Sequence, residues 1–336
     1  MTQEKFLEKV IEKLKKPETK WDAVIYLKEV KSPEYLNIFM QHLDEPDPFI
    51  RALMSEKLGS LQDTKAVPAL TQLLKDPDLH VRKTTKDALL KFGVQAIPGI
   101  ISSLADKDYY FRQRVVNFIQ ALGKPVIPVL SQEIEHSNWI VANKILEIIW
   151  KIGGAQAEEA LIQAIEIENV RKSAILFLGL SASKKAVPKL LEIFKHYSLR
   201  RMVISSLMRI GEEEAYPLIV KSLNFCSYNI TKQAQEAIVK IGQPMLPYLL
   251  AALRKKRSHK GNIIESTSKI DFRPIYKELH NIAQNDQEIE GLLFDFKILK
   301  KKTSELQNDL SKKSLSSNIP KIRKSSKIPL KTGKYI

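Results

Sequence analysis

Pro68, Pro98, Pro128, Pro188, Pro217 and Pro247 follow one another at intervals of 30, 30, 60, 29 and 30 residues. No other feature constrains the chain as much as this beat. The long interval skips Glu158, where the missing proline would fall. Glycines keep the same period at Gly93, Gly123, Gly153, Gly211 and Gly242, and basic residues at Arg51, Arg82, Arg112, Arg171, Arg201 and Lys232. Self-similarity at a fixed period of about 20–50 residues belongs to repeat architectures, in which each copy is one small supersecondary unit.

One copy, Ala66 to Gly93, reads AVPALTQLLKDPDLHVRKTTKDALLKFG. Pro68 suits the first turn of a helix, where a missing N–H leaves no bond unmade. Val67, Leu70, Leu73 and Leu74 then fall at helical spacing. The Asp76-Pro77-Asp78 run breaks that helix. Asp78 can cap a second helix by accepting from its free N–H groups, and Val81, Ala88 and Leu89 continue an apolar face. Gly93 supplies the left-handed residue with which helices commonly end. The cap position recurs as Asp47, Asp78, Asp108, Asn138 and Ser198, with Glu168 as its weak member. One such hairpin cannot bury its apolar side, whereas stacked copies can. Units begin near residues 4, 34, 66, 96, 126, 156, 186, 215 and 245, the first two without the proline.

The fold expected is therefore all-α. It is an α-solenoid, a right-handed superhelix of about nine helical hairpins over residues 1–270, followed by capping helices over 271–310 and a disordered basic tail over 311–336. The 336 residues are 44% hydrophobic and 27% charged, an ordinary globular balance that rules out wholesale disorder. A single cysteine, Cys226, excludes an internal disulfide framework and a cysteine-based metal cluster. The opening MTQEKFLEKVIEKLKK is charged throughout and is not expected to be a secretory signal. No apolar run reaches the ~20 residues of a membrane-spanning helix, so a cytoplasmic chain is expected.

The strings AVPALTQLLKDPDLHVRKTTKDALLKFG, AIPGIISSLADKDYYFRQRVVNFIQALG and AVPKLLEIF resemble the HEAT-repeat family, specifically the short phycobilisome-lyase-like type. The resemblance covers residues 34–250 well and 1–33 loosely. It implies the armadillo-like solenoid fold and leaves function open, because such relatives include chromophore lyases, an alkylpurine DNA glycosylase, a deoxyhypusine hydroxylase and many scaffolds. The hydroxylase holds its iron with repeated His-Glu pairs. None of His42, His80, His136, His196, His259 and His280 is followed by Glu, which argues against that activity. The glycosylase needs a cationic concave surface with an aromatic and an acidic residue. The second helices here offer Lys83, Lys86, Arg114, Lys144, Lys172, Arg201, Arg209 and Lys240, diluted by Glu147 and Glu236, and no catalytic carboxylate can be carried over. Gly-rich phosphate loops are absent from the sequence.

Charge is concentrated late in the chain. Residues 251–336 hold 20 Lys and Arg against 9 Asp and Glu, +11 of the chain's formal +16. Arg254, Lys255, Lys256 and Arg257 form one cluster. Pro274 opens a helix, and Asn285-Asp286 interrupts it. Ile289, Leu292, Leu293, Phe296, Leu299, Leu306 and Leu310 then suggest a long amphipathic helix. Residues 311–336 carry eight basic and no acidic residues, Lys321, Arg323 and Lys324 among them, and read as a polycationic tail.

Two sets of residues stand out as binding candidates. Tyr109 and Trp139 are one period apart and should neighbour each other along an edge, with Tyr110 beside them. They either pack over the groove between units or form an aromatic ledge for a partner or a nucleobase. The basic set Arg254–Arg257, with Lys321, Arg323 and Lys324, could meet nucleic acid or, less readily, an anionic membrane. The Asp78–Arg82 and Asp108–Arg112 pairs read as structural, a cap plus a ladder between neighbouring units. Trp21 and Trp150 read as packed, and so does Cys226. Glu133, Glu135 and His136 read as a solvated face.

No convergent catalytic set, cofactor site or metal site emerges. The function expected is a non-enzymatic scaffold that holds a protein on its concave face, with a nucleic-acid-binding or lyase-type solenoid as the alternative.

Overall fold

The computed structural model describes residues 3–30, 32–255 and 258–298, and every regular element among them is helical. The chain divides into two compact units between Ala237 and Ile238.

The first unit is a series of helical hairpins on the beat read from the prolines. Its first helices are Gln3–Lys13, Leu36–Gln41, Val67–Leu73, Ile97–Ile100, Ile127–His136, Ala155–Gln163, Val187–Ile193 and Tyr216–Ser222. The second helices that answer them are Lys20–Glu29, Pro48–Leu61, Leu79–Phe92, Tyr109–Leu122, Trp139–Ile152, Arg171–Leu180, Arg200–Ile210 and Tyr228–Ile241. Pro68, Pro98, Pro128, Pro188 and Pro217 each occupy the second residue of a first helix, after a short 3-10 turn. There the fixed φ is already helical and no N–H is missed. The hairpin beginning at Ala155 lacks both the proline and the 3-10 turn and starts instead from Gly154, with φ 88°. Its Glu158 reaches forward 25 residues and accepts from Ser183 Oγ.

The second unit uses the same grammar. Leu246–Leu253, with Pro247 at its second residue, pairs with Lys260–Ser268. Tyr276–Ala283 pairs with Gln287–Asp295, so residues beyond 270 form a further hairpin. Pro274 sits in the 3-10 turn Arg273–Ile275 that precedes it, and Asp286 caps its second helix by accepting from Ile289 N at 3.2 Å. The long amphipathic helix expected through Leu310 ends at Asp295. Lys297 takes φ 58°, and its neighbour Ile298 N donates to Leu293 O at 2.8 Å, a left-handed stop that closes the helix. Leu299, Leu306, Leu310 and the tail 311–336 lie outside the described residues.

Buried Leu, Ile, Val, Ala and Phe side chains from both helices of each hairpin form the core. Second helices of successive hairpins come closest at two small residues. A Cβ on Gly59 would stand 2.6 Å from that of Ala88, and one on Gly179 would stand 2.6 Å from Ser206 Oγ. The glycine column has a stricter reason than a left-handed stop. Gly93 and Gly123 combine φ 56° and 69° with ψ −136° and −151°, a region that is open in practice to glycine alone, and only Gly211 has ordinary left-handed values. The stretch Leu79–Ala105 is long and apolar enough, by composition, to cross a membrane. It is two helices of neighbouring hairpins, turned at Gly93, with Pro98 in the second.

Three expected columns shift in detail. Asp47, Asp78, Asp108 and Asn138 do cap their helices. Ser198 does not, because the chain enters helix Arg200–Ile210 through a 3-10 turn and Leu199 takes the cap position. Glu168 does not either, since its helix starts from Val170. In the last two hairpins of the first unit the residue that bonds back to the turn is Arg200 and Thr231, one place before the basic Arg201 and Lys232.

Candidate docking surface

The turn between the helices of a hairpin is built by a two-residue device. In Asp76-Pro77-Asp78 the first carboxylate accepts from Asp78 N at 2.8 Å, and the second accepts from His80 N at 2.7 Å and Val81 N at 3.1 Å. Asp106 and Asp108 repeat this on Asp108 N, Tyr110 N and Phe111 N. The first aspartate turns the chain and the second caps the helix.

Arginine closes the same turn. Arg82 Nη1 donates to Asp76 O and Pro77 O, and Arg112 Nη1 to Asp106 O and Lys107 O, at 2.6–3.0 Å. Arg51, Arg171 and Arg200 make the equivalent bond to the carbonyl six residues back, and Thr231 Oγ1 makes it to Phe225 O at 3.0 Å. The last carbonyls of a helix have no partner within it, and a cation there also suits the helix dipole. Asp78–Arg82 and Asp108–Arg112 are thus caps and staples within one hairpin. The bridge between hairpins uses the other aspartates. Arg51 grips Asp76 through Nε and Nη2 at 2.7 and 2.9 Å, and Lys75 reaches Asp106 at 2.6 Å. Burial pushes the Asp76 carboxyl up, but the Arg51 guanidinium and the Asp78 amide outweigh it and hold the group below the usual aspartate range.

This scaffolding fixes what the residue just after each cap does. Tyr109 and Trp139 occupy that place, and they are 58% and 66% exposed. Tyr110, 71% exposed, meets Tyr109 edge to face at 5.6 Å, and the Arg112 guanidinium lies 5.6 Å from the Tyr109 ring centre. Leu79 and Tyr228 hold the same register and are also exposed, as is Ile140 beside Trp139. Sequence reasoning missed these three, although the residue following each cap was already visible as a column. The result is a row of large apolar side chains on the capped ends of rigid helices.

The other sequence candidates fall elsewhere. Arg254 and Lys255 follow helix Leu246–Leu253 and are exposed, and Arg254 borders an open hollow of about 350 Å³ with Glu278, Asn281 and Asp286. Lys256, Arg257, Lys321, Arg323 and Lys324 lie outside the described residues. Trp150 is half-buried and stacks on Phe177 at 5.0 Å. Trp21 is 67% exposed, its ring edge-to-face with Phe49 at 6.3 Å, and does not pack inside the first hairpin. Cys226 is exposed rather than packed, because it sits in the turn before helix Tyr228–Ile241. Among the described residues no group of three metal-ligating side chains converges.

The fold is an α-solenoid assembled from short helical hairpins. Residues 39–123 and 127–199 match the family of HEAT repeats. No curated protein matches the chain significantly. Among solved structures, human deoxyhypusine hydroxylase in complex with glycerol is 16% identical, with 71% of this chain and 96% of that one covered and a TM-score of 0.32. The CpcE–CpcF complex of phycocyanin lyase from a Nostoc species is 18% identical, with 79% and 93% covered and a TM-score of 0.28. Importin beta is 14% identical, with 80% and 44% covered and a TM-score of 0.35. These superpositions are loose and no activity follows from them.

Proposed function

We propose that this HEAT-repeat chain is a scaffold that holds a protein partner on its exposed helix ends. The observation that carries the reading is the set Leu79, Tyr109, Tyr110, Trp139 and Ile140, large apolar side chains left in water at the starts of three successive second helices capped by Asp78, Asp108 and Asn138, the first two also stapled by Arg82 and Arg112. Large apolar side chains left exposed at one register of neighbouring repeats are surface of the kind that commonly marks an interaction site. Aromatic anchors on rigid supports also lose little side-chain entropy on binding. Extended repeat surfaces serve such docking by geometry. The alternative drawn from the sequence, nucleic-acid binding through the basic C-terminal region, rests mainly on residues outside those described.

The test is retention of the native partner by the purified full-length chain, followed by mass spectrometry, with a Tyr109→Ala/Tyr110→Ala/Trp139→Ala variant alongside. A specific partner lost from the variant supports the reading. Equal retention by both chains, or turnover of a small substrate abolished by one point change, removes it.

A further inference from the structure

Arg201 and Lys232 stand one place beyond the residue that bonds back to the turn, and that place has a pattern of its own. From the stapling residue onward, positions one, five and nine lie on one strip of the second helix, since residues four apart are neighbours on a helix. In helices Leu79–Phe92 and Tyr228–Ile241 the middle member is acidic and separates basic ends, as Lys83, Asp87, Lys91 and as Lys232, Glu236, Lys240. Two adjacent hairpins carry cations on this strip with no carboxylate between them. Helix Arg171–Leu180 presents Lys172, Leu176 and Leu180, and helix Arg200–Ile210 presents Arg201, Ser205 and Arg209.

These two strips lie side by side. Gly179 brings the helix backbones together at Ser206, whose hydroxyl donates to Ile175 O at 2.8 Å. Leu176 and Leu180 are 40% and 46% exposed, and Lys172, Arg201 and Arg209 are exposed as well. Among the described residues none of these three cations enters an ion pair, whereas Lys144 and Lys151 on the preceding second helix both bind Glu147. The two helices therefore share a patch of three unpaired cations and two exposed leucines, with no carboxylate on either strip.

We propose that this patch docks an acidic, leucine-bearing segment of a partner protein. Carboxylates on the segment would meet Lys172, Arg201 and Arg209, and its apolar side chains would cover Leu176 and Leu180. Complementary charge selects and orients such a segment, and desolvated leucine holds it. A nucleic acid would use the cations but gain nothing from the leucines, and no aromatic side chain on either strip offers a base a stacking surface. The proposal rests on the scaffold reading above and names a partner class for it.

The experiment pans a displayed library of random linear peptides on the immobilised full-length chain, then measures the recovered peptides by fluorescence anisotropy. Three variants are compared, each checked for an unchanged circular dichroism spectrum: Arg201→Glu/Arg209→Glu, Leu176→Ser/Leu180→Ser, and Tyr109→Ala/Trp139→Ala. The expected peptides combine Asp or Glu with leucine-like residues. They should bind the charge variant and the leucine variant each about tenfold or more weakly than the unaltered chain. Peptides weakened only by the aromatic variant would overturn this proposal and leave the scaffold reading standing. Recovery of no binding peptide would overturn this proposal alone. Binding of a mixed-sequence oligonucleotide that depends on Arg201 and Arg209 but not on Leu176 and Leu180 would assign the patch to phosphate instead. Self-association of the chain lost in both strip variants would assign it to a second copy. Either result overturns the proposal.

Discussion

Asp76 is the residue on which most of the hairpin chemistry converges. Its carboxylate turns its own chain, accepts from Arg51 of the preceding hairpin, and is only 4% exposed at the side chain, against 12% for Arg51. Removing one partner of a buried pair leaves the other charge uncompensated, so Asp76→Ala should destabilise the chain by about 3 kcal/mol, read from urea unfolding. Asp108→Ala, which removes only an exposed cap, should cost about 1 kcal/mol. The pH dependence has a definite sign. A carboxyl held below its unfolded value stabilises the fold above that value, about 3.9 for aspartate, and the contribution fades as pH falls through the lower folded value. Acid unfolding of the wild type should therefore show a component below about pH 4 that Asp76→Asn lacks. Asp271 gives a second check in the other unit. Arg273 holds it at about 2 through paired hydrogen bonds of 2.7 Å. Nuclear magnetic resonance titration should find that value return towards about 3.9 in Arg273→Ala. Asp78 and Asp108 were legible as caps because a cap bonds to its own next residues. Asp76 and Asp106 were not, because their partners Arg51 and Lys75 lie 25 and 31 residues away.

Among the elements, the glycines separate two kinds of constraint. At Gly123 an added Cβ would meet nothing within 4 Å, yet φ is 69° with ψ −151°. Gly123→Ala should thus cost about 1–3 kcal/mol from backbone strain alone, and no change in a neighbour should recover it. Gly59 is the opposite case, a helical glycine whose added Cβ would meet Ala88 at 2.6 Å. Gly59→Ala should destabilise by roughly 2 kcal/mol through overpacking, and Ala88→Gly in the same chain should restore part of it. Thermal melts of the three variants check both statements. Helix Gln287–Asp295 makes the related point about ends. Its apolar spacing runs on past Asp295 in the sequence, but Lys297 turns left-handed and the helix stops. Periodicity reports which face a helix would bury, and the stop depends on backbone bonds such as Ile298 N to Leu293 O that periodicity does not see.

For the molecule as a whole, the repeat unit is also the unit of tolerance. Each hairpin of the first unit answers mainly to its neighbours, so stability should be close to a sum of hairpin and interface terms. Deleting residues 94–123, one complete period, should leave a helical, cooperatively melting protein. Deleting 94–108, which removes the first helix of that hairpin and leaves the second unpaired, should not. Circular dichroism melts distinguish the two. The beat of prolines, the pairing of helices and the caps at Asp47, Asp78, Asp108 and Asn138 could be read from the sequence unaided, because a proline's φ, a helix cap and an apolar stripe all act within a few residues of chain. Stacking alone decided which side chains the repeated register leaves in water. It exposed Tyr109, Tyr110 and Trp139, and placed Lys172, Leu176, Arg201 and Arg209 on adjoining strips. Those outcomes depend on the path of a neighbouring hairpin about 30 residues away, and local spacing carries no record of that path.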